Sequence, residues 1–246
     1  MVNLEGRVVN YDIHSSISGT TPEQAAEVMQ QRLAYGGKAL SGSDLTIVTL
    51  GTAWCYEHRD MGVVVANCHK QPAKLFNRRL LSVAEVVEAL TNIVESVNGR
   101  VLFSVSPVRH IGEGMEDNAL SKAILRVAVS EVCAGYGKGV DYFPSYEIMM
   151  DDLRDYRFYA DDLCHPSRQA VEYIYEKFAE AAFTPETLAL QGGLRALTAF
   201  AAHRPFDPSS GQYRSECLRY IERMEEEERA NNLDFSAEIA LLKGRL

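Results

Sequence analysis

Asp162 and His165 stand three residues apart in the run Asp162-Leu163-Cys164-His165-Pro166. A carboxylate at that spacing can accept the imidazole Nδ1–H. Nε2 is then left to take a proton from a hydroxyl and return it to a leaving group. The same run fits a helix cap, with Pro166 a natural first helical residue. A second cluster, Arg109 and His110, opens the glycine-bearing loop Ile111-Gly112-Glu113-Gly114. Arg109 has the planar fork that clamps a carboxylate or phosphate, or it pairs with one of the chain's many acids. His110 is either substrate-facing or simply exposed. A third cluster, Asn67-Cys68-His69-Lys70, offers an amide to an oxyanion and an ammonium to an anion. Cys68 and His69 make a poor nucleophile–base pair, because consecutive side chains diverge. The irregular spacing of Cys68, His69, His110 and Cys164 argues against a metal site.

Groups so far apart act together only if the fold gathers them. Residues 44–50 are apolar on both sides and β-branched, as a central parallel strand would be, and Gly51 then permits a tight turn. Residues 101–106 form a second strand stopped by Pro107, and residues 140–144 a third. Residues 63–66 suit a short strand after a turn over residues 59–62. Thr21 and Pro22 open a helix over residues 23–34, which Gly36 and Gly37 end. Ser82 and Glu85 make a capping box for a helix reaching about residue 95, closed by Asn98 and Gly99. Residues 118–133 are helical, with Leu120, Ile124, Val127 and Val132 as the buried face. Residues 146–154 predict another helix. Residues 168–182 predict one more, with a stripe of Val171, Ile174, Tyr175 and Phe178.

Strand–helix alternation repeated three times predicts an α/β domain over residues 1–183, a parallel sheet with helices on both faces. The loops beyond the carboxyl ends of such strands share one crevice. Gly51 and Thr52, residues 106–110, Ser145, and the Asp162–His165 run all fall there. Residues 184–246 read as a C-terminal helical extension, with helices over 186–202 and 211–231 and a linker around Pro205 and Pro208. The run Glu225-Glu226-Glu227-Glu228 is a solvated helix face.

At 246 residues the chain can bury one substantial core, and a net charge of −9 argues against a nucleic-acid partner. No run approaches the roughly 18 apolar residues of a membrane span. The first seven residues lack the basic-then-apolar pattern of a secretory signal. The five cysteines are widely spaced without a C-x-x-C pair, which reads as free thiols and, by default, a cytoplasmic protein.

Several long runs point to one family. They are residues 50–54, residues 65–73 with the Asn67-Cys68-His69-Lys70 cluster, residues 78–82, residues 105–110 and residues 118–122. Residues 202–206 and 234–238 add to them. From about Asn10 to the C-terminus the chain resembles the GSCFA domain family, bacterial proteins placed near the SGNH/GDSL hydrolases. The resemblance implies a three-layer α/β sandwich of SGNH or flavodoxin-like type. It places the hydrolases' final motif on Asp162, His165 and Pro166. The block that usually carries an oxyanion asparagine falls on Gly51-Thr52-Ala53-Trp54, which has none, leaving Asn67 or His14 as substitutes. The namesake Gly-Ser-Cys-Phe-Ala segment and the first strand would precede residue 1, and Ser15 and Ser16 fit a downstream loop instead. The expectation is an N-terminally incomplete domain with impaired turnover and an exposed sheet edge open to self-association.

The activity implied is hydrolysis or transfer of small or carbohydrate O-acyl esters, without a cofactor and away from membranes. A noncatalytic binding or scaffold protein is the alternative. A metal-dependent hydrolase would need three of His14, His69, His110, Asp162 and His165 to converge.

Overall fold

The chain opens with an antiparallel hairpin, β1 (Val2–Leu4) and β2 (Arg7–Val9). The structure is a computed structural model and describes residues 1–208 and 210–246. Two compact units divide it, Met1–Ile174 and Tyr175–Leu246.

α1 (Pro22–Ser41) starts as expected, with Pro22 in its first turn and Thr21 Oγ1 accepting the Gln24 N–H. It does not stop at Gly36 and Gly37. Each glycine costs a helix only about 1 kcal/mol relative to alanine, and the stop comes instead at Gly42, whose N–H bonds the Lys38 carbonyl.

β3 (Leu45–Leu50) is followed by an antiparallel sheet of β4 (Trp54–His58), β5 (Val63–Val65) and β6 (Phe76–Leu80), in the order β5-β4-β6. The apolar pattern reveals only β5. Glu57 and His58 in β4, and Arg78 and Arg79 in β6, mask the alternation of the other two. α2 (Val83–Ser96) carries the expected capping box, Ser82 with Glu85.

β7 (Arg100–Val105), α3 (Met115–Tyr136) and β8 (Val140–Phe143) complete a parallel sheet in the order β3-β7-β8. The fold is therefore α/β with a parallel sheet. β7 is its central strand, and β3 is an edge strand rather than the central one its apolar run suggests. Val48 and Leu50 pack toward the core, while Ile47 on the opposite face is 52% exposed. The core lies between the Val101, Phe103, Val105 and Val140 face of the sheet and the inner sides of α2 and α3.

α3 keeps half of the face that hydrophobicity picks, with Val132 buried and Ile124 packed against the core. Leu120 and Val127 are exposed, whereas Ser121, Lys122, Leu125, Ala128, Val129 and Val132 are buried. The two polar residues at its start are inside because they bond to the ends of the sheet. The helix expected over 146–154 is a single turn, α4 (Ser145–Glu147), continued by a π-helical turn at Ile148–Asp152. α5 (Arg168–Ala182) follows, with Ala170 and Ala179 buried; of the predicted stripe Ile174 packs inward and Phe178 is half-buried, while Val171 and Tyr175 are exposed.

The second unit carries α6 (Pro185–Ala202), α7 (Gly211–Asn231) and α8 (Ser236–Lys243). They share a core of Leu197, Cys217, Met224 and Leu242, with Phe200 stacked on Tyr220 at 3.8 Å. α8 is an addition to the helices read from sequence.

Gly99 lets the backbone before β7 pass close to the start of β3. A Cβ there would stand 2.3 Å from the Ser43 carbonyl oxygen. Gly99→Ala should therefore cost about 1–3 kcal/mol, read as a lower urea midpoint at constant slope. An unchanged midpoint would show that the two backbones can separate freely.

Candidate functional site at the carboxyl end of the sheet

Asp162 builds the turn that carries His165. Its Oδ1 accepts the N–H groups of Cys164 and His165, both at 2.9 Å, while Leu163 between them is held at φ 56°. That conformation is uncommon for a side chain of this size, and the two carboxylate bonds fix it. Oδ2 lies 2.5 Å from His165 Nδ1. The backbone N–H of His165, then that of Cys164, then the imidazole hold the Asp162 pKa down at about 2. An ionised carboxylate can only accept, so Nδ1 carries the proton and Nε2 presents its lone pair. Among the described residues Nε2 has no hydrogen-bond partner, and both side chains are open to solvent. The helix-cap reading belongs to a neighbour: Ser167 Oγ accepts the Ala170 N–H at the start of α5, and Pro166 bridges to Tyr159.

This turn is docked on the loop after β7. The Arg109 N–H donates to the Cys164 carbonyl at 3.0 Å. The Arg109 guanidinium lies 3.8 Å from the Tyr159 ring centroid and reaches the Leu163 carbonyl at 3.4 Å. The His110 N–H is taken by Asn118 Oδ1, and its ring stands beside Gly51, where an added Cβ would be 3.4 Å from Nε2. Burial, then the charges of Lys122 and His165, lower the His110 pKa.

Lys122 joins the loops after β3 and β7. Only 1% exposed, it donates from Nζ to the carbonyls of Gly51 and Ser106, both at 2.7 Å. Those are the residues directly after β3 and β7, so one side chain ties both strand ends together. Burial pushes its pKa down to about 8. Its neighbour Ser121 accepts the Ala53 N–H and pairs with Thr52 Oγ1. Thr52 also accepts the Trp54 N–H, so its hydroxyl serves the turn. Ser145 is likewise engaged, bonding Ser104 Oγ at 2.6 Å and the Val105 carbonyl at 2.8 Å. No serine, threonine or cysteine among the described residues hydrogen-bonds His165. Ser121 and Lys122 fall in the run 118–122 that carries the family resemblance, but neither residue type marks a site by itself.

The other two expected residues lie on loops around the antiparallel sheet, and neither bonds to the Asp162 turn. His14 Nδ1 is paired with Ser16 Oγ at 2.9 Å. Asn67 accepts the His69 N–H on Oδ1 and reaches Ser15 Oγ from Nδ2 at 3.2 Å. His69 Nδ1 lies 2.9 Å from that same Oγ. Cys68 takes no part in this group. Trp54 is stacked under the Arg78 guanidinium and donates to the Asp117 carbonyl.

Among the described residues no three His, Cys, Asp or Glu side chains are grouped to hold a metal ion, so the convergence needed by a metal-dependent hydrolase is not found there. The five cysteines are free, and no helix of the described residues is long and apolar enough to cross a membrane. Neither a curated protein nor a solved structure matches the chain. The family model of the GSCFA family matches residues 1–178, a span that holds every candidate site residue and leaves residues 202–206 and 234–238 outside. From the first hairpin into α5, the chain belongs to the GSCFA family.

Proposed function

We propose that this chain acts on small O-acyl esters, those of carbohydrates included, as a hydrolase or acyltransferase with His165 as general base. The observation that carries the reading is the Asp162 carboxylate on His165 Nδ1, which in the neutral ring makes Nε2 the acceptor, open at the carboxyl end of a parallel sheet. Among the described residues no hydroxyl or thiol is bonded to His165, and in this reading a water or an acceptor hydroxyl is the attacking group. As it adds to the ester carbonyl its proton passes to Nε2, Asp162 stabilises the imidazolium, and the proton goes on to the departing alkoxide. Arg109 is the candidate clamp for an acidic substrate group. His110, kept neutral by its surroundings beside Gly51, is a candidate donor to the oxyanion. The family's likeness to the SGNH hydrolases supports the same chemistry.

Acid release from O-acetylated monosaccharides and 4-nitrophenyl acetate tests the reading. The wild-type chain should turn over at least one of them, and His165→Asn should lower the rate by about 10² or more at an unchanged melting temperature. Equal rates in the two proteins, or no acid released from any ester by the wild type, would sink it.

A further inference from the structure

The loop before α1 and the loop between β5 and β6 meet at Ser15 and His69, 54 positions apart in sequence. The atoms dictate how protons are arranged there. The Asn10 carbonyl oxygen, which can only accept, lies 2.8 Å from His69 Nε2, so Nε2 carries the ring proton. Nδ1 is then a lone pair, and the Ser15 hydroxyl donates to it across 2.9 Å. Asn67 Oδ1 accepts the His69 N–H at 2.8 Å, which fixes the amide so that Nδ2 donates to Ser15 Oγ. Arg7 holds the Ser15 carbonyl at 2.9 Å. His69 and Lys70 both adopt left-handed backbone, φ 49° and 57°. Two such residues in a row are strained and persist only where their surroundings hold them. Ser15, His69, Lys70 and Arg7 line a cavity of about 670 Å³, of a size that takes small molecules.

A serine donating to an imidazole whose far nitrogen is anchored has the arrangement of an activated nucleophile. We propose that Ser15 is the nucleophile of a second acyl-transfer site, separate from the Asp162 turn, with His69 as base and small carboxylic esters as substrates. The Ser15 proton moves to His69 Nδ1 as Oγ bonds the ester carbonyl carbon and the C=O electron pair shifts onto oxygen. The Asn67 amide and the Lys70 ammonium are the donors on hand for that oxyanion. The pair then returns, the bond to the alcohol oxygen breaks, and the departing alkoxide takes the proton from Nδ1, leaving acyl-Ser15. Water next attacks the acyl carbon, His69 takes its proton, and Ser15 Oγ departs with that proton as the carboxylic acid is freed. The Asn10 carbonyl, being neutral, stabilises an imidazolium less than a carboxylate does. Acylation is therefore easier to observe than turnover.

A fluorophosphonate, with peptide mass mapping of the full chain, reads that step directly. Phosphonylation is expected at Ser15, absent in Ser15→Ala, slowed about 10²-fold or more in His69→Asn, and unchanged in His165→Asn. The last result keeps this site distinct from the crevice. No label at Ser15 in the folded wild-type chain overturns the proposal, whatever the variants do. So does labelling of His69→Asn at the wild-type rate.

Discussion

Asp162→Asn should lower acyl turnover by roughly 10³–10⁴-fold while leaving the fold in place. The asparagine Oδ1 can still accept the N–H groups of Cys164 and His165, so the turn that seats the histidine survives. The other terminal group becomes an NH2, which donates toward Nδ1 where the carboxylate accepted. The imidazole must then carry its proton on Nε2, the atom that has to be bare to act as a base. The variant is thus properly shaped with the wrong tautomer. Alanine would be a poorer test, since it removes the bonds that hold Leu163 in its left-handed conformation. In the wild type, Asp162 stays ionised at any pH where such an assay is run, because its pKa is held at about 2, below the ordinary 3.8. A carboxyl lowered on folding stabilises the chain above its unfolded pKa, and that contribution is lost as pH falls from about 4 toward 2. An acid limb in the rate at higher pH therefore does not belong to Asp162. Steady-state acid release by the two proteins, with their melting curves, checks the prediction; turnover within tenfold of wild type would remove Asp162 from the mechanism.

How much of this was legible in the sequence depends on whether the signal is local. The Asp162-x-x-His165 turn is closed by its own residues, so spacing and residue type suffice to find it. The capping box of Ser82 and Glu85 and the start of α1 at Thr21 and Pro22 are legible for the same reason. The strands β3, β7 and β8 show as apolar runs, yet sequence does not rank them, and β3 proves to be an edge. Periodicity fails where a polar side chain has a buried partner far away. Ser121 and Lys122 point inward because Gly51, Ala53 and Ser106 offer groups to bond. No hydrophobicity scale anticipates that, and of the predicted face of α3 only Ile124 and Val132 pack against the core. The pairing of Ser15 with His69 is hidden likewise: the Asn67-Cys68-His69-Lys70 cluster draws notice, but only the fold brings Ser15 to it.

Lys122→Met should destabilise the first unit by about 2–4 kcal/mol at neutral pH, with a pH signature that identifies the cause. Methionine fills much the same space, so the loss comes from the carbonyls of Gly51 and Ser106, each left without its donor at about 1–3 kcal/mol. Part of it is offset because a poorly solvated ammonium is also removed. That offset varies with pH. The folded pKa of about 8 lies below the ordinary 10.5, so between those values the unfolded chain binds more protons than the native one. Wild-type stability attributable to Lys122 therefore rises with pH across this window and is flat below it. The neutral amine still has the two N–H groups that the two carbonyls need. Burial raises the pKa of Cys55, Cys68 and Cys133, and of Tyr142 and Tyr146, and these groups pull the other way, but they do so in both proteins. The quantity to follow is thus the stability difference between wild type and variant, from urea titrations, which should widen by about 2 kcal/mol between pH 8 and 9.5. A difference that stays constant across that range would mean that Lys122 is not held against burial. The ties from α3 to the ends of β3 and β7 would then be ordinary surface bonds.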